Sequence, residues 1–378
     1  IFRDRKIMKR EQFLNLSRSS YLAAKLSILL LISAFQALAF TLVGNLILDV
    51  HNGMFSYWLV LFATAFFANT LGLNISASFN SVITIYILIP ILLIPQMILS
   101  GAFFSFDKLH PAISSHKHVP IIADLMVARW AMETLAVDLY KNNPYEKPLY
   151  QLEHIESVAS YHQNYLIPEL RTHLQKAEDA LRTDQLEQLQ DHVPVLRNEI
   201  GKQNHLMAYP NYQKVLEPSR FTEATADSVR AYLDRLEKRF QNVYNNAAAR
   251  KDELVKERME AMGGASEYTA FKKAHTNDQL NTFVRNLDVA QRAVRVGDEY
   301  VQKIDPIYHY PVVKGPFNYR AHFNAPKKPF MGQLWNTFEF NVGMIFFFSF
   351  VLIITLYFET LRWLLALPSR LRSRKRSQ

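Results

Sequence analysis

Apolar positions along this chain fall into two kinds of pattern. Four runs are apolar almost without interruption: Leu26–Leu48, Phe55–Leu73, Val82–Phe104 and, far downstream, Phe340–Phe358. Each approaches the ~20 residues that carry a helix across ~30 Å of hydrocarbon, so four membrane spans are predicted. The separators between the first three are short and polar (49–53 and 76–81), which makes these helices tight neighbours. Between the third and fourth runs the pattern becomes periodic instead. Leu186, Leu189, Val193, Leu196 and Ile200 step by three and four, as do Val229, Leu233, Leu236, Phe240 and Val243, and then Leu280, Phe283, Leu287, Ala290 and Val294. Such spacing puts one apolar stripe on each of three amphipathic helices. Breaks at Pro210 to Pro218 and at Gly263-Gly264, with Thr222 and Thr276 as N-caps, predict an antiparallel bundle or helical hairpin.

The predicted fold is therefore all-α: a polytopic membrane protein of four transmembrane helices with an inserted extracytoplasmic helical bundle or coiled-coil domain. Its expected segments are a cytoplasmic amphipathic helix (1–21), three spans (22–104), membrane-proximal short helices (105–147), the helical domain (148–305), an aromatic and Pro-rich return segment (306–336), the last span (337–367) and a basic tail (368–378). In the return segment, Tyr308, Tyr310, Phe317 and Tyr319 supply rings suited to the headgroup level.

Composition adds little until it is resolved by position. The 378 residues are 49% hydrophobic, and the mean hydropathy of -0.06 averages very apolar spans with a strongly polar insertion. No cysteine is present, which excludes disulfides and thiolate metal sites. The net charge of +9 is informative through its placement. Arg3, Arg5, Lys6, Lys9 and Arg10 precede the first run and Arg370, Arg372, Arg374, Lys375 and Arg376 follow the last, so both termini are expected in the cytosol and 105–337 outside it. Basic clusters that flank spans read as topology signals and lipid contacts, and no nucleic-acid partner is expected. Because the chain opens at Ile1 on a basic amphipathic segment, further sequence is expected upstream.

Candidate chemistry is sparse. Gln36, Asn69, Asn74 and Gln96 are polar at membrane depth, where such groups bond to other helices or line a path. Pro90 and Pro95 remove backbone donors and are expected to bend the third span. His110, His116 and His118 lack a committed carboxylate or cysteine partner and read as loop histidines. Glu153, Glu156, Asp179, Glu187, Arg235, Glu237 and Lys238 read as solvated helix faces, and no catalytic constellation is visible.

Some of these residues also form a recognisable series. Arg10-Glu11, followed by Ser19-Ser20-Tyr21-Leu22-Ala23-Ala24-Lys25, resembles the cytoplasmic lead into a span of G-subfamily (White type) ABC exporters. Pro90, Pro95 and Ser100-Gly101-Ala102-Phe103-Phe104 are similar to that family's outer span end, and Ala128-Arg129-Trp130-Ala131-Met132-Glu133 to its outer-face segment. The resemblance covers about 1–145 and 330–378. It departs around Leu14-Asn15-Leu16, where a Gly-Tyr is usual, and in the length of the insertion.

The resemblance implies the C-terminal permease half of an ATP-driven ABC-2 exporter, homodimeric, with Arg10, Glu11, Tyr21 and Lys25 coupling it to an ATPase. Asn69, Asn74, Pro90, Pro95, Gln96, Arg129 and Glu133 are then the candidate pathway and gate residues. No G-x-x-x-x-G-K-(S/T) occurs in the chain, so ATP and Mg²⁺ are expected on an ATPase domain upstream or on a separate partner, and this chain itself binds no cofactor or metal. Membrane lipid and, at the helical domain, an envelope protein complete the implied partners. The competing expectation is a membrane-anchored envelope scaffold or sensor whose helical domain binds a partner without transport.

Overall fold

Long apolar runs have no water to satisfy their backbone in a bilayer and must close their hydrogen bonds within themselves, so helix is the form they take. The computed structural model describes residues 17–50, 52–79, 81–110 and 115–365. Three of its helices are long and apolar enough to cross a membrane: α1 (Arg18–Leu48), α2 (Met54–Ser78) and, at the far end of the chain, α13 (Thr337–Tyr357). Helix α3 (Val82–Ile98) has 17 residues, about 25 Å of helix, and stops short of the predicted Phe104. It ends there because Ser100 Oγ bonds the Met97 carbonyl at 2.7 Å and Gly101 turns the chain at φ +82°. Among the described residues three helices therefore have the length of a span, and the third apolar run forms a shorter apolar helix. Arg10, Glu11 and the rest of the N-terminal amphipathic segment before Ser17, like the basic tail, lie outside the described residues.

Of the described residues, one compact unit holds those up to Leu139, Val313–Arg320 and those from Lys327 onward; a second holds Tyr140–Val312 and Ala321–Pro326. In the first unit, α2 packs against both α1 and α13. The short helix α4 (Ile121–Asp124) and then α5 (Val127–Lys141) follow, and a hairpin of β3 (Lys327–Phe330) and β4 (Gln333–Asn336) leads into α13. Trp130, Val127, Ala63, Phe340 and Ile345 form a buried apolar cluster in this unit.

The second unit is built from α6 (Glu146–Tyr161), a π-helical turn (His162–Leu166), α7 (Ile167–Arg182), α8 (Leu186–Gln203), the single turn α9 (Tyr212–Val215), α10 (Glu223–Ala261), α11 (Ala265–His275) and α12 (Asp278–Arg285). The predicted stripes on α8 and α10 are its core: Leu189, Val193, Leu196, Ile200, Val229, Leu233, Leu236 and Phe240 are all buried. Leu186, at the start of the first stripe, is exposed. Helices α6 and α7 complete the core with Ala159, Ile167, Leu170, Leu174 and Ala177. Thr222 caps α10 by accepting from the Thr225 amide, and Gly263 and Gly264, at φ +95° and +137°, end the helix pair's connection as the sequence suggests.

Several expectations are corrected here. The third stripe is not one helix. α12 ends at Arg285, Asn286 turns left-handed at φ +52°, and Val294 lies in β1 (Ala293–Val296), paired with β2 (Glu299–Gln302). Its cap is Asn277, whose side chain accepts from the Leu280 amide, rather than Thr276. With β1–β2 and β3–β4 the described chain is mostly helical, not all-α. Glu153 and Glu156 are not a freely solvated face, Glu153 being half-buried. Glu156 is buried and paired with Lys251, while Glu153 accepts from Tyr308, whose hydroxyl also meets Tyr140 at 2.7 Å. Tyr308 is buried in the second unit and so is not a headgroup ring.

This interior has a consequence for pH. The Glu146 carboxyl is pushed up to about 8, first by burial and then by the charge of Glu153 and a hydrogen bond with it, against the opposing pull of Arg285 and Lys272. The unfolded chain releases that proton near 4.5. Folding therefore retains a proton the unfolded state gives up, and the Glu146 contribution to stability is lost as pH rises from about 4.5 to about 8. Burial holds His173 and His309 down to about 4, and their contribution runs the opposite way, so the Glu146 contribution is read as the difference between the wild type and Glu146→Gln. In urea midpoints of the second unit, read by amide exchange, the wild type should lose stability relative to that variant from pH 5 to pH 8, and a difference that does not change with pH refutes the assignment.

Candidate functional site

Helix α5 stacks Glu133 over Arg129 and Thr134 over Trp130, because residues four apart lie one above the other on a helix. Its first turn has amides without intrahelical partners, and the Ala128 amide donates to Gln96 Oε1 of α3 at 3.0 Å. Trp130 Nε1 bonds the Asp124 carbonyl at 2.8 Å, fixing α4 against α5. The Arg129 guanidinium lies 3.9 Å from the centroid of the Trp130 ring, and that ring packs against Tyr319 and Phe340.

On this apolar base sits a buried group of charges. Lys328 Nζ of β3 donates to Glu133 Oε1 at 2.6 Å, Asn341 Nδ2 of α13 donates to Glu133 Oε2 at 3.0 Å, and Arg129 Nη1 lies 3.4 Å from that same oxygen. Arg129 Nη2 reaches Asp124 Oδ1 at 3.3 Å. Glu133 is 0% exposed, Lys328 1% and Arg129 2%, so neither water nor salt screens them. Two cations face two carboxylates, and the group is formally neutral.

The shifts follow from that geometry. Burial raises Glu133, but the positive charges of Arg129 and Lys328 and the hydrogen bonds from Lys328 and Asn341 outweigh it, and its carboxyl is held below the usual range. Asp124 is raised: burial dominates, and the Arg129 charge offsets it only in part. Burial pushes Lys328 down to about 8, with Glu133 opposing and Arg129 adding to the shift. The ion pair is thus unequal. Glu133 has two cations to hold its charge, whereas Lys328 shares one close anion with a second cation. Arg129 Nε and Asn341 Oδ1 find no hydrogen-bond partner among the described residues, so the network is held by packing as much as by its bonds.

The other predicted residues are dispersed. Asn69 donates to Ser33 Oγ of α1 at 2.6 Å. Asn74 donates to the Leu352 carbonyl at 2.8 Å and accepts from Thr355 Oγ1 at 3.0 Å, joining α2 to α13. Both amides are used between helices, whereas Gln36 is exposed. Pro90 and Pro95 lie within α3, whose helix continues through both and has no buried residue. Tyr21 packs at the α1–α2–α13 contact and Lys25 Nζ sits 5.2 Å from its ring centroid.

At the same end, Arg18 pairs with Glu359 at 2.9 Å and bonds the Leu356 carbonyl, fastening the start of α1 to the end of α13. Sequence reasoning missed Asp124, Lys328, Arg18 and Glu359, and gave Asn341 no role. A lysine in Lys327-Lys328-Pro329 reads as solvated, and only its β-pairing turns it inward. The lone amide at the head of an apolar run was the one signal available for Asn341.

Among the described residues no group of three His, Cys, Asp or Glu is arranged to hold a metal. The second unit carries a shallow cleft of about 510 Å³ between α8, α9 and β2, where Lys202 is engaged by Glu199 at 2.7 Å. Its lining holds no nucleophile–base pair.

No curated protein and no solved structure matches the chain. Residues 1–137, which carry α1 to α3, α4 and the Arg129–Glu133 pair, match the family model of the ABC-2 type transporter.

Proposed function

We propose that this chain is the permease component of an ATP-driven ABC-2 exporter of the G type, acting as a homodimer with an ABC ATPase that binds ATP and Mg²⁺. The observation that carries the reading is the ABC-2 match over residues 1–137 on a segment that contains long apolar helices. In this reading the chain is the C-terminal half of the permease. Helix α3 serves as a fourth, short membrane helix, both termini face the cytosol, and the helical second unit is an extracytoplasmic insertion.

The segment around Arg10 and Glu11 receives the motion of the ATPase, and Tyr21 and Lys25 pass it into α1. The Arg18–Glu359 fastening extends that path to α13. At the other end of α13, Asn341 bonds Glu133, so displacement of the last span has to break or re-form the buried charge group. A packed polar group of this kind has discrete arrangements rather than a continuum, which suits a gate that is either braced or released.

The test is Glu11→Lys in the intact assembly reconstituted in vesicles. Transport-coupled ATPase activity is expected to fall about 5-fold or more, the span of an ordinary coupling free energy, with ATP binding retained. Unchanged coupled activity would remove Glu11 from the coupling path.

A further inference from the structure

We infer that α4, the β3–β4 hairpin and Phe317 form a lipid-contact collar seated at the boundary between headgroups and acyl chains. Its apolar side chains are exposed. Ile121 and Leu125 stand 64% and 61% exposed, Phe317 77%, Met331 61%, and Leu334 and Trp335 36% and 43%. The three segments are joined by hydrogen bonds: the Met331 amide donates to the Pro316 carbonyl at 2.7 Å, and the Arg320 side chain donates through Nη2 to the Val119 carbonyl at 3.0 Å, two residues before α4.

What covers this surface follows from its position in the chain. The uncharged stretch of α13, from Phe340 to Tyr357, follows an exposed Glu339 and is about 27 Å long, close to the hydrocarbon thickness. The head of the helix therefore lies at the interface, and Trp335 precedes Phe340 by five residues. All four residues of β4 are exposed, so the strand meets its surroundings directly. Trp335 already donates its ring N–H to the Phe330 carbonyl at 3.2 Å, so the ring enters an apolar layer without stranding a donor. The hairpin tip is a tight turn, with Met331 at φ +50° and Gly332 at φ +76°, which projects Met331 beyond both strands.

The collar has a mechanical consequence. Lys328 of the buried charge group and Trp335 are register partners across the hairpin, so the depth at which the hairpin sits in the leaflet positions the lysine on Glu133.

The chain has no cysteine, which makes single-site labelling direct. Leu125→Cys, Phe317→Cys and Met331→Cys, each carrying a nitroxide, are compared in the full chain in phosphatidylcholine vesicles. Phe347→Cys within α13 and Asn245→Cys on the exposed face of α10 serve as references. Collisions with dissolved oxygen and with a water-soluble nickel chelate are measured at each site. The expected result is an oxygen-to-nickel ratio at the three collar sites raised well above that at Asn245, toward that at Phe347. Collar sites that match Asn245 while Phe347 reads lipid overturn the collar and leave the membrane assignment standing. Low access to both reagents would mean that protein, such as a second copy, covers the face, and overturns it equally. An aqueous reading at Phe347 removes the membrane assignment and the collar together.

Discussion

Glu133→Ala is expected to destabilise the first unit by about 3–5 kcal/mol, the range for breaking a buried ion pair from one side. The loss is large because Arg129 and Lys328 are 2% and 1% exposed and would both keep their charge demand with one close anion gone. Asn341 would lose the nearer of its two acceptors as well, keeping only the Trp130 carbonyl at 3.5 Å. Two further variants separate electrostatics from packing. Lys328→Met leaves Glu133 facing Arg129 alone, and its cost should be smaller than that of Glu133→Ala. The double variant Glu133→Gln/Lys328→Met keeps volume while removing one charge of each sign, and should recover most of the stability, since apolar replacement of a whole buried pair is often neutral. The measurement is the fraction of full-length protein that stays monodisperse in detergent after heating, fitted across temperature. A double variant as unstable as Glu133→Ala would show that the pair is not the unit that matters.

Leu196→Ala is expected to cost about 2–5 kcal/mol in the second unit, and Leu186→Ala within about 0.5 kcal/mol of nothing. The two leucines belong to the same three-four stripe and are indistinguishable by spacing. Leu196 is 0% exposed in the α7–α8–α10 core, so its removal leaves a cavity whose lining loses contacts on one side. Leu186 opens α8 and is 56% exposed, so truncation there removes little buried surface. Amide exchange across 186–203 in increasing urea, on the full chain, reads both. Equal protection loss in the two variants would contradict the core described above.

Much of the architecture was legible before the structure. The apolar runs announced α1, α2 and α13, because a segment of that length and hydropathy has few alternatives to a helix buried in lipid or protein. The α8 and α10 stripes and the Gly263-Gly264 break were equally plain, since period and turn chemistry are local properties. The third stripe failed for a reason also local in origin. Five apolar residues at helical spacing do not reveal that Asn286 will take a left-handed turn and deliver Val294 into a strand. The end of α3 was misjudged because the apolar run continues through Phe104, while Ser100 and Gly101 stop the helix earlier.

The candidate site divides along the same line. Arg129 and Glu133 could be paired from the sequence because one helical turn separates them. Asp124, Lys328 and Asn341 could not, since Lys328 and Asn341 arrive from a hairpin and a helix about two hundred positions away, and charge patterning carries no record of so distant a partner. Glu153 and Glu156 show the converse: they look like a solvated face until Tyr308 and Lys251 are brought against them.

The sequence by itself determined the long helices α1, α2, α8, α10 and α13, which of them suit a membrane and which face of α8 and α10 is apolar, because these depend on the order of side chains over a few turns. Only the tertiary structure decided which charges are buried, which polar amides are spent between helices, and that a lysine-bearing strand closes on Glu133. The burial of a charge depends on what surrounds it in space, and those surroundings are assembled from segments that the chain keeps far apart.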